Sequence, residues 1–270
     1  MILFKKTGDL HRWLDQTRNS NDTIGFVPTM GALHEGHISL IDISKRSAGI
    51  TVCSVFVNPT QFNDPKDYQK YPITIEKDIA LLEAAGVDAL FLPEVGEMYP
   101  NGTTNLERYD LGRLETILEG KYRPGHFRGV CRVMRRLLDL VRPDDLFMGS
   151  KDYQQCMIVQ RLIQLMDWSV RLHRCPIVRE PDGLAMSSRN ARLSPDERQR
   201  ATAIYQALLA LRSGAPLSTA EEILAASRFR TDYISICDPE TLEPVPPSPN
   251  TVALIAAFQG EVRLIDNMIL

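Results

Sequence analysis

Two histidines, His34 and His37, stand three residues apart in a short glycine-bearing segment of this 270-residue chain. The segment follows the apolar, β-prone run 24–27, which Pro28 is expected to end because proline cannot donate to a sheet ladder. From Gly36 onward the apolar residues recur at helical spacing. The pattern predicts a strand, a tight loop and a helix. The N–H groups and dipole at such a helix N-terminus form an anion site.

The chemistry that these histidines suit best is donation to a phosphate group. The helix dipole disfavours a further positive charge at this position and therefore favours a neutral imidazole. A neutral imidazole still carries one N–H, which can stabilise a phosphate oxygen that gains charge during a reaction. The segment is not a GxxxxGK[ST] phosphate loop, and the chain contains no GxGxxG.

Two other interpretations of the histidines stay open from the residues alone. They could be ordinary loop and helix-start residues, or they could bind a metal together with Glu35. The zinc motif HExxH requires histidines four residues apart on one helix face, whereas His34 and His37 are three apart. The sequence places no third ligand cluster nearby. The surrounding glycine and proline residues favour the phosphate interpretation.

Two further segments place polar side chains where a parallel sheet would present them. The run 50–57 is almost continuously apolar, which is typical of a strand buried on both faces, and Gln61 follows its end. The segment Gly149–Asp152 follows a short predicted strand at 145–148 and is expected to open a helix. A lysine in a first helical turn opposes the dipole, so an anion in contact with Lys151 would explain its position. Asp152 could instead be only a helix cap.

Polar residues also occur after these two segments. Gln155 lies one helical turn beyond Lys151 on the same face. A later loop reads Met186-Ser187-Ser188-Arg189, and its two hydroxyls and guanidinium suit a polyphosphate. The tripeptide Ser-Ser-Arg is weak support on its own.

The composition excludes several classes of protein. Hydrophobic residues make up 44% of the chain and charged residues 24%, which is ordinary for a soluble globular protein. The net charge of −3 argues against a general nucleic-acid or membrane partner. Five scattered cysteines without a CxxC motif predict free thiols in a reducing compartment. Since no signal peptide or membrane-length apolar stretch is evident, we expect a cytoplasmic protein.

The order of the predicted elements favours an α/β fold. Strands and helices alternate up to about residue 176, which predicts a Rossmann-like, doubly wound parallel sheet. The remaining residues, 177–270, are expected to form a smaller α+β domain that carries the Met186–Arg189 loop. Its predicted helices and strands lie at about 194–212, 218–229, 231–237, 251–258 and 262–264. We therefore expect one domain over 1–176 and a second over 177–270.

Five motifs, in order along the chain, resemble the pantothenate synthetase family. They are Pro28–His37 (PTMGALHEGH), Phe56–Phe62 (FVNPTQF), His126–Val130 (HFRGV), Lys151–Gln155 (KDYQQ) and Asp182–Asn190 (DGLAMSSRN). The first contains the HxGH signature of the nucleotidylyltransferase and class I aminoacyl-tRNA synthetase superfamily. In those proteins the two histidines contact the phosphates of ATP.

The resemblance implies an enzyme that ligates pantoate to β-alanine with ATP and Mg²⁺, releasing AMP and pyrophosphate through a pantoyl adenylate. It implies that His34, His37 and Lys151 are catalytic, that Gln61 and Gln155 hold pantoate, and that Gln61 borders the β-alanine site. The implied ATP-site residues are Met30, Gly31, Ala32, Leu33, His34, Glu35, Gly36, His37, Gly149, Ser150, Lys151, Asp152, Val178, Met186, Ser187, Ser188 and Arg189. The resemblance leaves open whether Asp78 contacts Mg²⁺. It also implies a homodimer.

Three positions depart from the pattern of the family or of its relatives. Ser150 stands where the family usually has glutamate, and Ile73 where it usually has arginine. Ala185 stands where related synthetases begin a lysine-bearing KMSKS loop. Lys151 and Arg189 must then supply the positive charge.

Two other functions remain open. A nucleotidylyltransferase acting on a phosphorylated acceptor would release a dinucleotide-like product rather than AMP. A protein that only binds and senses a nucleotide would need no catalytic groups, and the full set of His34, His37, Lys151 and Arg189 argues against it.

Overall fold

The computed structural model describes residues 1–18, 22–63, 65–104 and 107–270, and these form two compact units. The first unit comprises Met1–Ser150 and Gln154–Cys175, and the second comprises Lys151–Tyr153 and Pro176–Leu270. The long segment of the second unit begins one residue before the start that we expected, at 177. The second unit also includes three residues that we had assigned to the first domain.

The first unit is a parallel sheet with helices on both faces. In chain order its described strands are β1 (Ile2–Phe4), β2 (Ile24–Thr29), β3 (Ile50–Val55), β4 (Ala89–Phe91), β5 (Asp145–Gly149) and β6 (Arg171–Cys175). Its described helices are α1 (Thr7–Arg18), α2 (Glu35–Ser47), α3 (Pro65–Gln69), α4 (Ile75–Ala84), α5 (Val95–Met98), α6 (Glu119–Tyr122), α7 (His126–Val141) and α8 (Tyr153–Leu165). The strands lie in the order β1-β4-β3-β2-β5-β6, and all neighbours pair in parallel. This arrangement confirms the predicted Rossmann-like sheet.

Side chains of the central strands alternate between two apolar cores. Phe26 and Val52 belong to the core that contains residues of α1, α7 and α8. Val27 and Cys53, the next residue of each strand, belong to the core that contains residues of α2 and α4. Because successive residues of a strand point to opposite faces, a sheet covered on both sides requires unbroken apolar runs.

Pro28 does not end β2, contrary to our expectation. The strand continues to Thr29, and Pro28 lies opposite Ser54 of β3. The pairing of β2 with β5 covers only Gly25 and Phe26. One side of β2 is therefore unpaired at Pro28, and the missing N–H removes no ladder bond there.

The helix expected to open at Gly149 begins later. Gly149 ends β5, Ser150–Asp152 form a 3-10 turn, and the α-helix starts at Tyr153. Short 3-10 turns are common at the N-termini of helices. Lys151 therefore precedes the α-helix instead of lying in its first turn, and the helix dipole opposes its charge less than we had assumed.

The second unit has an antiparallel sheet and helices around one core. Its described elements are α9 (Pro195–Ala201), α10 (Ala203–Arg212), α11 (Leu217–Ala226), β7 (Phe229–Cys237), β8 (Val252–Gln259) and β9 (Val262–Ile269). The strands lie in the order β7-β8-β9, which confirms the smaller α+β domain. The single helix expected at 194–212 is interrupted at Thr202. The Thr202 hydroxyl donates to the carbonyl of Gln199 (3.0 Å), a bond of the kind that bends helices.

Two expectations from composition can be compared with the structure. All five cysteines are buried and unbridged, as predicted. In the described ranges, no helix combines the length and the apolar character that a membrane crossing requires.

Candidate active site

The loop between β2 and α2 starts where the strand order of the sheet reverses. The chain proceeds outward from β2 through β3 and β4, and then returns to β5 on the other side of β2. In open α/β sheets, ligands bind at the carboxyl ends of strands at such a switch point. The residues that follow β2 and those that follow β5 are therefore well placed to contact a ligand.

Two residues of this loop have left-handed backbone conformations. Gly31 has φ +82° and Ala32 has φ +49°. A side chain at positive φ costs roughly 1–2 kcal/mol, so the surroundings must hold Ala32 in place.

Asp78 of α4 supplies that restraint. Its carboxylate accepts hydrogen bonds from the backbone N–H groups of Ala32 (2.9 Å) and Leu33 (2.8 Å) and from the Thr74 hydroxyl (3.0 Å). The side chain is only 1% exposed. Asp78 therefore fixes the turn that leads into the histidine segment. The sequence alone did not reveal this structural role.

Replacing Asp78 with asparagine is expected to destabilise the protein by about 1–3 kcal/mol, because an amide nitrogen would then face a backbone N–H donor in a buried site. Chemical denaturation measures the change. Asp42→Asn is the matched control, since Asp42 is exposed on α2 and a surface change of this kind stays within about 0.5 kcal/mol. Equal stability of the two variants would show that the turn needs no carboxylate.

His34 and His37 cap the start of α2 reciprocally. The Nδ1 atom of His34 accepts from the N–H of Gly36 (3.2 Å), and Nδ1 of His37 accepts from the N–H of His34 (3.3 Å). A ring nitrogen that accepts a hydrogen bond carries no proton, so each neutral ring holds its proton at Nε2. With the ring centroids 4.1 Å apart, the two Nε2–H groups form a pair of adjacent donors. This geometry supports the predicted role of the histidines toward a phosphate.

Gln61 lies in a 3-10 turn, Pro59–Gln61, just after β3. The side chain is 8% exposed, and its Nε2 lies 2.9 Å from the sulfur of Met30. The structure thus brings Gln61 against the first residue of the predicted ATP loop. Its oxygen accepts from Nδ2 of Asn58 (3.1 Å), a buried residue that the sequence analysis did not identify as functional.

The start of α7 packs directly against this 3-10 turn. His126 is buried, and its Nδ1 lies 2.8 Å from the carbonyl oxygen of Gln61. A Cβ at Gly129 would lie 2.1 Å from the Thr60 oxygen and 2.4 Å from the Gln61 Cα. Only glycine allows the helix to approach so closely, because both neighbours are backbone atoms.

In the second unit, a short hairpin brings two predicted ATP-site residues together. The N–H of Met186 donates to the carbonyl of Val178 (3.0 Å), and the turn between them closes at Gly183. Arg179 fixes the hairpin to β9 through two bonds to the buried Asp266 (2.6 and 3.0 Å). Burial raises the pKa of Asp266, and the guanidinium of Arg179 counteracts that effect.

The residues after this hairpin form a 3-10 helix, Ser188–Arg192. Ser187 caps it by accepting from the N–H of Arg189 (3.3 Å). Ala185 is 3% exposed, so the position where related loops carry lysine is buried and apolar in this chain.

Ile73 is another position that departs from the family pattern. It lies just before α4, and its side chain is 70% exposed.

Lys151 also belongs to the second unit. Its carbonyl oxygen accepts from Nδ2 of Asn267 (3.0 Å). The side chain is half-buried, and its ammonium forms no ion pair within the described parts of the chain. Burial raises the pKa of the Asp266 carboxyl, and the Lys151 charge acts on that carboxyl to lower it. Since the ammonium is only half-buried, it can also contact an anionic ligand.

The remaining predicted site residues are placed as follows. Gly149 is the last residue of β5, the strand next to β2, and Ser150 follows it, so both lie in the first unit at the switch point. Gln155 is half-buried on α8, and no hydrogen bond involves its amide among the described residues. Glu35 is exposed at the first position of α2, and Gly36 is the second residue of that helix. The structure brings the Met30–His37 loop and Gln61 together, whereas Gln155 makes no described bond to either.

Comparisons with known proteins agree over the full length of the chain. A family model described as pantoate-beta-alanine ligase matches residues 2–269. The pantothenate synthetase of Bacteroides thetaiotaomicron is 45% identical over 271 residues, which cover 96% of this chain and 95% of that protein.

Two solved structures are also similar throughout. The crystal structure of pantothenate synthetase from Thermus thermophilus has a TM-score of 0.92 and 42% identity, covering 100% of this chain and 99% of that one. A pantoate-beta-alanine ligase from Francisella tularensis, complexed with beta-gamma ATP and β-alanine, has a TM-score of 0.86 and 37% identity. That alignment covers 100% of this chain and 97% of the other.

Proposed function

This chain belongs to the pantoate-beta-alanine ligase family, and we propose that it ligates (R)-pantoate to β-alanine. The reaction uses ATP, passes through a pantoyl adenylate, and gives pantothenate, AMP and pyrophosphate. The observation that carries the proposal is the match to the family over residues 2–269. The paired imidazole donors and the nearby Gln61 amide in the first unit support it independently.

The first half-reaction transfers an adenylyl group. The pantoate carboxylate attacks the α-phosphorus of ATP, and pyrophosphate leaves as the bond to the β-phosphate oxygen breaks. The Nε2–H groups of His34 and His37 donate to the phosphate oxygens as negative charge grows on those oxygens. The Lys151 ammonium stabilises the same negative charge. The two imidazoles are effective because their bonds at the start of α2 fix their positions before the reaction begins.

The second half-reaction forms the amide bond. The amine of β-alanine attacks the activated carbonyl of the adenylate, loses a proton, and displaces AMP. The covalent changes take place between the substrates, so the protein contributes orientation and electrostatics without a nucleophile of its own. Gln61 and Gln155 hold pantoate in this scheme, and Gln61 also borders β-alanine.

The other nucleotide contacts come from three segments. Met30–His37 and Gly149–Asp152 contribute backbone and side-chain donors to ATP. Val178 and the loop Met186–Arg189 contribute from the second unit, where Arg189 supplies a second positive charge.

Mg²⁺ is proposed to accompany ATP and to neutralise charge on its phosphates. Over the residues that the structure describes, no group of three His, Cys, Asp or Glu side chains could hold a metal. Mg²⁺ commonly binds through one or two carboxylates together with phosphate oxygens and water. Asp152 fits one such ligand, since its half-buried carboxylate has no described hydrogen bond. Asp78 fits less well because three donors already occupy its oxygens.

The protein is further proposed to be a homodimer and to reside in the cytoplasm. The five buried free thiols support a reducing compartment, and the resemblance to the family supports the dimer.

The products of the reaction test the proposed function. Incubation with pantoate, β-alanine and ATP should yield pantothenate and AMP in equal amounts, which mass spectrometry and nucleotide chromatography can quantify. A nucleotidylyltransferase would instead join the nucleotide to a phosphorylated acceptor. Formation of such a product, with no AMP released, would contradict the ligase assignment.

Replacing Gln61 with alanine is expected to weaken pantoate binding by about 1–3 kcal/mol, because the pantoate oxygen that the amide binds is left unpaired in the site. ATP binding should change little, since the nucleotide contacts assigned here lie in other segments. Isothermal titration of each substrate measures both effects. Gln160→Ala, an exposed position on α8, is the matched control. An equal loss of ATP affinity would show that Gln61 belongs to the nucleotide site.

A further inference from the structure

A buried hydrogen-bond network holds the side-chain oxygen of Gln61. Asn58 is fully buried, and its Nδ2 donates to the Gln61 side-chain oxygen (3.1 Å) and to the Gly129 carbonyl (3.2 Å). Its Oδ1 accepts from the Tyr99 hydroxyl at 2.8 Å. Oδ1 also accepts from the N–H and the hydroxyl of Thr60, at 3.3 and 3.1 Å. The bond from Tyr99 is the shortest that the Asn58 amide makes.

The direction of these bonds determines which end of Gln61 is available. Because Asn58 donates to its oxygen, Gln61 must present its nitrogen on the other side. There Nε2 contacts the thioether of Met30, and sulfur of this kind is only a weak acceptor. A substrate oxygen would be a far better partner. The network therefore prepares Gln61 to donate to a carboxylate or hydroxyl oxygen.

Tyr99 is itself held rigidly. It is 5% exposed, and its ring packs near that of Phe56, with the centroids 6.3 Å apart. Arg136 donates to the carbonyl of Met98 at 3.0 Å, which fixes the adjacent backbone. Burial raises the pKa of Tyr99, so its hydroxyl keeps its proton and remains a donor near neutral pH.

We propose that Tyr99 is a positioning residue for the carboxylate substrate. Its hydroxyl holds Asn58 in the orientation that fixes Gln61 with Nε2 presented to the ligand. Tyr99 lies outside the five sequence motifs, and nothing in its residue type or spacing predicted a function. The inference rests on the proposed function, in which Gln61 binds pantoate.

The Tyr99→Phe variant removes the hydroxyl and keeps the ring. We expect kcat/KM for pantoate in ATP–pyrophosphate exchange to fall about 3- to 10-fold, the factor that corresponds to one ordinary hydrogen bond. The KM for ATP and the thermal midpoint should stay close to those of the wild type. Tyr109→Phe is the matched control, because that hydroxyl bonds to Glu107 outside the network, and it should leave pantoate kinetics unchanged.

A double-mutant cycle with Gln61→Ala separates positioning from a general structural role. If Tyr99 acts through Gln61, the phenylalanine substitution should change kcat/KM by less than about 1.5-fold once Gln61 is absent. An unchanged single variant, an equal loss in both backgrounds, or a parallel loss of ATP binding would each overturn the inference. Failure of the wild type to exchange pyrophosphate with pantoate would refute the proposed function itself. That outcome is visible before any variant is compared.

Discussion

Replacing Lys151 with alanine is expected to slow formation of the adenylate about 10²- to 10³-fold, the usual effect of removing one preorganised donor to a charge that develops in the transition state. Lys151 has a half-buried ammonium without an ion pair among the described residues. Its charge should matter most while negative charge moves onto the departing pyrophosphate. Amide formation follows after pyrophosphate has left, so it should be nearly normal.

Rapid-quench kinetics can separate the two half-reactions of the Lys151→Ala variant. ATP and pantoate alone report adenylate formation, and synthetic pantoyl adenylate with β-alanine reports the amide step. Lys5→Ala is the matched control, since Lys5 is exposed after β1 and makes no described contact. Equal damage to both steps would mean that Lys151 binds AMP or pantoate throughout the reaction.

The Gly129→Ala variant is expected to lose about 10²-fold in kcat/KM for pantoate, the cost that a displacement near 1 Å can have at a reacting centre. The added methyl group would approach the backbone of Thr60 and Gln61 to within 2.4 Å. Either the 3-10 turn or α7 must then move, and Gln61 moves with the turn. Overpacking of this kind should also lower stability by about 1–3 kcal/mol.

Gly8→Ala provides the comparison for this variant. Gly8 lies in α1 with no heavy atom within 4 Å of the added Cβ, so alanine there should be neutral or stabilising by up to about 1 kcal/mol. Both substitutions add the same methyl group within a helix, and only the one at Gly129 creates a clash. Wild-type pantoate kinetics in Gly129→Ala would show that the turn can shift without disturbing Gln61.

Periodic patterns in the sequence were sufficient to predict most of the fold. The apolar run 50–57 predicted a strand covered on both faces, and β3 contributes Val52 to one core and Cys53 to the other. Strand β1 was not predicted, because three apolar residues at a sheet edge show no period. Pro28 was misjudged for a related reason. Whether a strand tolerates proline depends on which of its sides is paired, and the sequence alone does not reveal this.

The motif residues of the candidate site were identified from the sequence, but the residues that hold them were not. Asp78 lies 46 positions from Ala32, and Asn267 lies 116 positions from Lys151. Tyr99 reaches Asn58 across 41 positions. Such contacts arise only when the chain folds, and no local spacing marks them. Asp78 lies in a helix and Tyr99 directly follows one, and residues of these types occur at such positions for many structural reasons.

Exchange of pyrophosphate with ATP tests the central claim most directly. The assay follows radiolabelled pyrophosphate into ATP in the presence of either pantoate or β-alanine alone. Since the carboxylate substrate is proposed to react first, pantoate by itself should support exchange and β-alanine by itself should not. Exchange that ignores pantoate but responds to a phosphorylated acceptor would contradict the account.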